Sequence, residues 1–382
     1  MKNMPLTVIT WRIGHSRIDT IESLLLRETK NNGILQSLYN EFGSIFYLET
    51  CQRIILVSSI NNVNKANELR NSFVKASHNA ANWVEEGELF VGSKALKHLA
   101  ELVSSLDSIV IGEDQIQHQF KQAFVNCDNY LDQNLKQILQ QVIRIGKRVR
   151  SRTIIGGGKT SMVSLIIEVY NDLIKNANSI GILGTGKMGL GVLNVTSQVN
   201  EAISIYSRKE ERMNIDINGY STKNFDDLQT HDVLFTATTV EMPLVTLDVI
   251  KKLGKNQITI FDLGMPRNCS LEINDLENVT LVGIEDLLKL SHHQKSSEEI
   301  ANVYQVLQEE IASVLEGIIH KQKSTYYISL RDELSRIAVK YKDNFLKEDK
   351  QSEIKYQQLI NKLIHVSQKH LQNALIETEG HQ

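Results

Sequence analysis

Along the first hundred residues, short β-branched runs alternate with segments whose apolar positions return at helical spacing. Leu6–Arg12, Ser44–Leu48, Ile54–Val57 and Leu89–Val91 read as strands. Asp19–Thr29, Asn64–Ser77 and Ser93–Val103 read as helices, the first with Asp19 as its N-cap. The order β-α-β-β-α-β predicts a ferredoxin-like α+β unit. Leu106–Ile111 is apolar and suits a buried turn or a helix start. Ile116–Asn126 and Asn134–Arg150 pattern as amphipathic helices. Gly156, Gly157 and Gly158 then interrupt the pattern, helix resumes over Ser161–Ile174, and a domain boundary is expected near the glycines.

A different pattern follows. Apolar runs at Ser179–Leu183, Ala202–Tyr206, Val233–Ala237, Ile258–Asp262 and Val279–Val282 alternate with helix-compatible segments, which predicts a parallel, doubly wound sheet. From Ser296 the pattern is helical nearly to the end. Ile300, Val303, Val306, Leu307, Ile311, Val314, Leu315 and Ile318 form one stripe, and Ser329–Leu346 and Ser352–Leu375 continue the helix. A long helix cannot bury such a stripe alone, so a helical dimerisation domain is expected, with an intrachain bundle as the alternative. The expected domains are 1–155, 156–295 and 296–382.

The first strand of the second pattern leads into Gly184-Thr185-Gly186-Lys187-Met188-Gly189, and Leu190–Val199 suits a helix. Strand, three spaced glycines and helix make the context of a dinucleotide-binding turn. The first glycine serves the turn, the second lets the backbone approach a pyrophosphate, and the third lets helix and strand pack closely. The second strand ends Tyr206-Ser207-Arg208-Lys209, with no carboxylate before Glu210 to hold a ribose 2′-hydroxyl. A Ser-Arg-Lys cluster suits a 2′-phosphate, so NADPH is expected over NADH; an exposed charged loop is the alternative.

Composition narrows the class. At 382 residues, two or three domains are expected. A formal net charge of −3 gives no global field favouring nucleic acid, so any such contact must be local. No apolar stretch approaches a membrane span of roughly 20 residues, and Met1–Thr10 lacks the apolar core of a signal peptide. Cys51, Cys127 and Cys269 are far apart and odd in number, which speaks against a disulfide framework or a metal pair and for a reducing cytoplasm.

Cys51 lies in a short polar linker between two strands, two residues before Arg53. A nearby guanidinium favours the nucleophilic thiolate, although isolated cysteines are commonly small buried hydrophobes. Cys127 and Cys269 lack this setting and read as structural. His98, mid-helix beside Leu99 and Leu102, reads by default as a half-buried structural histidine. The basic run Lys147–Arg152 suits either nucleic-acid phosphate or a solvated helix face.

Ordered blocks over about the first 290 residues resemble the glutamyl-tRNA reductase family. They are Thr50-Cys51-Gln52-Arg53; Lys97-His98-Leu99 with Ser105–Lys121; Gly146–Arg150 with Thr153, Gly158 and Ser161; the Gly184–Gly189 turn; Asp262–Asn268; and Ile284–Leu287. The sequence departs from the family pattern at Gln52, where Asn is usual. It departs again at Arg12–Ile18, where Gly-x-x-His-Lys-Thr-Ala-Pro is expected, and in lacking the Trp and Pro that start the helical tail.

The resemblance implies that Cys51 attacks the carbonyl of glutamate esterified to tRNA. The resulting thioester is reduced with NADPH to glutamate-1-semialdehyde, a tetrapyrrole precursor. It further implies that Thr50, Cys51, Gln52, Arg53, Ser108, Glu113, Asp114, Gln115 and Gln119 bind the glutamyl group. Arg53 would take its free carboxylate and Glu113 its α-ammonium, with His98 as acid–base or orienting group. The cofactor would rest on Gly184, Thr185, Gly186, Lys187, Met188, Gly189, Ser207, Arg208 and Lys209. A homodimer and handover of the aldehyde to an aminomutase are the expected partnerships. The alternatives are another NAD(P)-dependent oxidoreductase of the shikimate dehydrogenase type, or a non-catalytic nucleotide-binding paralogue.

Overall fold

A computed structural model describes residues 4–50, 52–78, 84–108, 111–113, 115–153, 155, 161–208, 215–240, 242–254, 257–291 and 297–345, with scattered residues from 354 to 367. The chain divides into two compact units, Met1–Ile311 and Ala312–Gln382.

The first unit holds two sheets. Strands β1 (Thr7–Arg12), β2 (Ile45–Glu49), β3 (Arg53–Ser58) and β4 (Glu88–Val91) form an antiparallel sheet in the order β2-β3-β1-β4. This is the ferredoxin-like arrangement. Its helices are α1 (Ile18–Leu24), α2 (Arg27–Phe42) and α3 (Val63–His78). Central β3 is buried at every position, as its continuous apolar run requires.

The single helix expected over Asp19–Thr29 is two. The backbone N–H of Leu26 donates to Glu49 Oε2 at 3.1 Å and to Tyr47 Oη at 3.3 Å, so side chains of β2 take the amide that a continuing helix would use. Asp19 is not the cap either: Arg17 holds that position, and no side chain caps it.

Helices α4 (Ser93–Val103), α5 (Gln115–Asn126) and α6 (Gln133–Arg152) follow and pack on one another. Asp132 caps α6, accepting from the N–H of Leu135 at 2.7 Å. The helix expected over Ser161–Ile174 breaks at Tyr170 into α7 (Met162–Val169) and α8 (Asn171–Asn176). The Tyr170 ring there meets Phe261 edge-on at 4.9 Å. The glycines 156–158 lie outside the described residues.

The second sheet comprises β5 (Ile180–Leu183), β6 (Ile203–Ser207), β7 (Asp216–Ile217), β8 (Tyr220–Asn224), β9 (Val233–Thr236), β10 (Ile258–Asp262) and β11 (Val279–Gly283). Their order is β11-β10-β9-β5-β6-β8-β7, parallel except for the edge strand β7. Helices α9 (Lys187–Thr196), α10 (Leu247–Leu253) and α11 (Ile284–Ser291) belong to this half. Strand order reverses between β5 and β9, and that switch point is where a doubly wound sheet opens its ligand crevice. Strand β8 was not expected. Tyr220-Ser221-Thr222-Lys223-Asn224 has no apolar run and joins the sheet through main-chain pairing with β6, Ile205 opposite Thr222.

Helix α12 runs over Ser297–Phe345. In the first unit its Val303, Val306 and Leu307 are buried. In the second unit Val314, Leu315 and Ile318 are half-buried. The helix expected over Ser352–Leu375 falls mostly outside the described residues. Among the described residues no helix is long and apolar enough to cross a membrane.

Candidate functional site

The β2–β3 connection is a tight hairpin ordered by Thr50. Its Oγ1 accepts from the N–H groups of Gln52 (3.1 Å) and Arg53 (3.2 Å), while its own N–H donates to the Arg53 carbonyl at 2.9 Å. The Gln52 carbonyl accepts from the N–H of Ile13 at 3.0 Å, which ties the hairpin to the end of β1. Thr50, Gln52 and Arg53 line one recess together with Ser108, Glu113, Gln115, Ile116 and Gln119. Gln115 and Gln119 lie one turn apart on α5 and so share a face. Cys51 and Asp114 lie outside the described residues.

The recess is backed by buried charge. Arg53 is 4% exposed. Its Nη1 donates to Asp107 Oδ2 at 2.5 Å, and its Nη2 donates to the Asp107 carbonyl. Asp107 Oδ1 accepts from Arg12 Nη1, and Arg12 Nε donates to Glu88 at 2.7 Å. Burial alone would raise the Asp107 carboxyl, but Arg53 and Arg12 hold it below its ordinary value. Glu113, 5% exposed, goes the other way. Burial pushes it up to about 7, although Gln52 donates to it and Arg53 lies near.

His98 is fully buried rather than half-buried, its ring stacked on Phe90 at 4.5 Å. Burial pushes it down to about 4 against the pull of Asp107, with Arg12 and Arg53 adding to the fall. Its Nε2 has no hydrogen-bond partner among the described residues. The imidazole is therefore neutral at neutral pH, beside the same charges that back the recess.

Arg12, Asp107 and Ile116 had no expected role, and Arg150 was expected only as part of the basic run. Arg150 donates to Ser105 Oγ (2.9 Å) and to the carbonyls of Gly112 (3.0 Å) and Glu113 (3.2 Å), fastening the loop that carries Glu113. Its neighbours in the basic run are also engaged within the chain. Arg148 and Arg152 each donate to Glu310 at 2.9 Å, and Arg152 donates to Glu309 at 2.6 Å. Three of the run's cations thus serve internal contacts, a use that spacing could not reveal.

The glycine turn lies at the carboxyl end of β5. Gly184 has φ +116°, and a Cβ there would lie 2.4 Å from the Ala237 carbonyl. A Cβ on Gly189 would lie 1.9 Å from the Gly184 carbonyl, so strand and helix approach more closely than any side chain allows. At Gly186 nothing lies within 4 Å. Gly186 is also the N-cap of α9, and no side chain caps that helix. Open space before uncapped helix N–H groups fits a pyrophosphate, so these residues suit a dinucleotide. Thr185 is buried, Lys187 exposed and Met188 half-buried. At the end of β6, Ser207 is buried and Arg208 exposed, while Lys209 lies outside the described residues.

Comparisons with known proteins divide the chain in the same way. Residues 9–153 match the family model of the glutamyl-tRNAGlu reductase N-terminal domain, and residues 168–290 match that of shikimate / quinate 5-dehydrogenase. The chain is 27% identical over 315 residues to a glutamyl-tRNA reductase of Cyanophora paradoxa, covering 77% of this chain and 73% of that protein. It is 25% identical over 312 residues to one of Methanocaldococcus jannaschii, covering 78% and 74%. The solved glutamyl-tRNA reductase of Methanopyrus kandleri has the same fold, with a TM-score of 0.53 at 21% identity, over 96% of this chain and 94% of that one.

Proposed function

The chain belongs to the glutamyl-tRNA reductase family, and from that premise we propose that it reduces glutamyl-tRNA with NADPH to glutamate-1-semialdehyde, the first step of tetrapyrrole synthesis. One observation carries the reading. Thr50, Gln52 and Arg53, from the hairpin, and Ser108, Glu113, Gln115 and Gln119, from a distant loop and helix, line one recess. These are the positions that the family resemblance assigns to the glutamyl group.

The Cys51 thiolate adds to the ester carbonyl, the bond to the tRNA oxygen breaks, and tRNA leaves as the alcohol. A thioester remains. It accepts hydride more readily than a carboxylate and releases its sulfur easily, which is the benefit of the covalent route. Asp107 fixes the Arg53 guanidinium, whose remaining N–H groups serve the substrate's free carboxylate. Glu113 meets the α-ammonium, and that positive charge favours its ionised form. Neutral His98 orients the reacting groups or accepts a proton in transit. The Gly184–Gly189 turn holds the pyrophosphate of NADPH, with Ser207, Arg208 and Lys209 toward its 2′-phosphate. NADPH, when bound, supplies the hydride.

In the same reading, domains 1–155, 156–295 and 296–382 bind glutamyl-tRNA, bind NADPH and form a homodimer. The enzyme works in the cytoplasm and passes its aldehyde to an aminomutase. The test is an assay with charged tRNA and NADPH, wild type against Cys51→Ser. The variant is expected to form no aldehyde, and full activity in it would end the covalent mechanism. The match of residues 168–290 to shikimate dehydrogenases favours a second reading, another NAD(P)-dependent oxidoreductase. That reading leaves the recess without a use, and NADPH-dependent turnover of shikimate but not glutamyl-tRNA would support it. NADPH binding with turnover of neither would mark a non-catalytic paralogue.

A further inference from the structure

The nucleotide-binding half touches the catalytic half at a defined point. Arg267 follows β10, at the carboxyl edge of the parallel sheet. Its N–H donates to Glu22 Oε1 at 2.5 Å, its Nη2 lies 3.3 Å from Glu22 Oε2, and the same Nη2 pairs with Asp19. Asp19 and Glu22 belong to α1, which packs on β1 and β3, the strands that bring Arg12 and Arg53 to the recess.

On its own side Arg267 directly precedes Asn268 in a hydrogen-bonded loop. Buried Asp262 accepts from the N–H groups of Gly264 (3.1 Å), Asn268 (2.9 Å) and Cys269 (2.9 Å), and from Thr236 Oγ1 (2.8 Å). Asn268 Oδ1 in turn accepts from the N–H and the hydroxyl of Thr238, both at 2.8 Å. Next to Thr238 is Ala237, whose carbonyl packs on Gly184 of the cofactor turn. A continuous set of bonds and contacts therefore runs from the glycine turn through Thr238 and Asn268 to Arg267 and into α1. In a doubly wound sheet the adenosine half of a dinucleotide takes the β5–β6 side of the switch point. The nicotinamide half takes the β9–β10 side, where Arg267 stands.

We propose that Arg267, through Asp19 and Glu22, is a positioning residue for hydride transfer, holding the nicotinamide side of the crevice against the domain that carries the thioester. This rests on the reductase reading and extends it. In the step concerned, the thioester carbonyl gains hydride, the C–S bond breaks, the sulfur regains a proton, and NADPH leaves as NADP+. A thioester that waits for hydride is open to water instead, which releases glutamate and the free thiol. The clamp thus sets the partition between aldehyde and glutamate, and acylation of Cys51 does not depend on it.

The full chain is compared as wild type, Arg267→Met, Glu22→Gln and the double variant, with charged tRNA as substrate. Without NADPH, the acylation rate of Cys51 and, separately, the Kd for NADPH are expected to stay within twofold of wild type in all four. With NADPH, aldehyde formation in Arg267→Met falls tenfold or more, and the missing product appears as glutamate. Glu22→Gln shifts the ratio in the same direction, and the double variant is no worse than Arg267→Met. An unchanged aldehyde-to-glutamate ratio in Arg267→Met would overturn the proposal, as would acylation falling in step with reduction. A wild-type chain that is never acylated by glutamyl-tRNA would instead remove the reductase reading itself.

Discussion

Replacing Glu113 with glutamine removes one ionisable group and almost no volume. The carboxyl is 5% exposed, and burial lifts it from 4.5 to about 7 despite a hydrogen bond from Gln52 and the nearby charge of Arg53. Between those values the folded chain keeps a proton that the unfolded chain has released. Stability therefore falls as pH rises through that window, and the penalty is complete above about 7. At 1.36 kcal/mol for each tenfold change in ionisation, the cost is about 3 kcal/mol at pH 8 and about 1 kcal/mol at pH 5.5. Glu113→Gln relieves it. Urea unfolding of the two proteins at both pH values measures the difference, and with a slope of roughly 2–3 kcal/mol per molar the midpoint at pH 8 rises by about 1 M. A gain equal at the two pH values, or no gain at pH 8, would refute a carboxyl held up by burial. The same variant is expected to raise KM for glutamyl-tRNA about tenfold, since the stabilising change removes the charge that meets the α-ammonium.

Three further outcomes are expected. Asp107→Asn leaves the guanidinium of Arg53, 4% exposed, without its counter-ion, and thermal unfolding should report a loss of about 3 kcal/mol or more. Gly189→Ala places a methyl group 1.9 Å from the Gly184 carbonyl and should lower Tm; Gly186→Ala meets nothing within 4 Å and should keep Tm while weakening NADPH. Arg208→Ala should raise the Kd for NADPH about tenfold, about 1.4 kcal/mol, and leave NADH unchanged in a fluorescence titration.

The parts of the fold that could be read along the chain are those set by local pattern. Strands β5, β9 and β10 are apolar runs because both faces of a parallel sheet are covered. Strand β8 could not be read this way, since Thr222 joins the sheet through backbone pairing that any side chain permits. The break between α1 and α2 depends on Tyr47 and Glu49, more than twenty residues away, capturing the amide of Leu26. The basic run was ambiguous for a similar reason: Arg152 finds Glu310 across 158 residues, and no spacing rule reaches that far.

Sequence alone determined the apolar strands of both sheets, the alternation of elements in the two halves, and the Gly184–Gly189 turn. Each of these depends on a backbone requirement met within a few neighbouring residues. Tertiary structure alone decided which charges are partners. Asp107 sits between Arg12 and Arg53 because strands β1 and β3 and the loop before α5 converge there. His98 and Glu113 are displaced in opposite directions from ordinary ionisation, toward about 4 and about 7, chiefly by burial. Burial and charge pairing are properties of what surrounds a side chain, and the surroundings exist only once distant segments have packed.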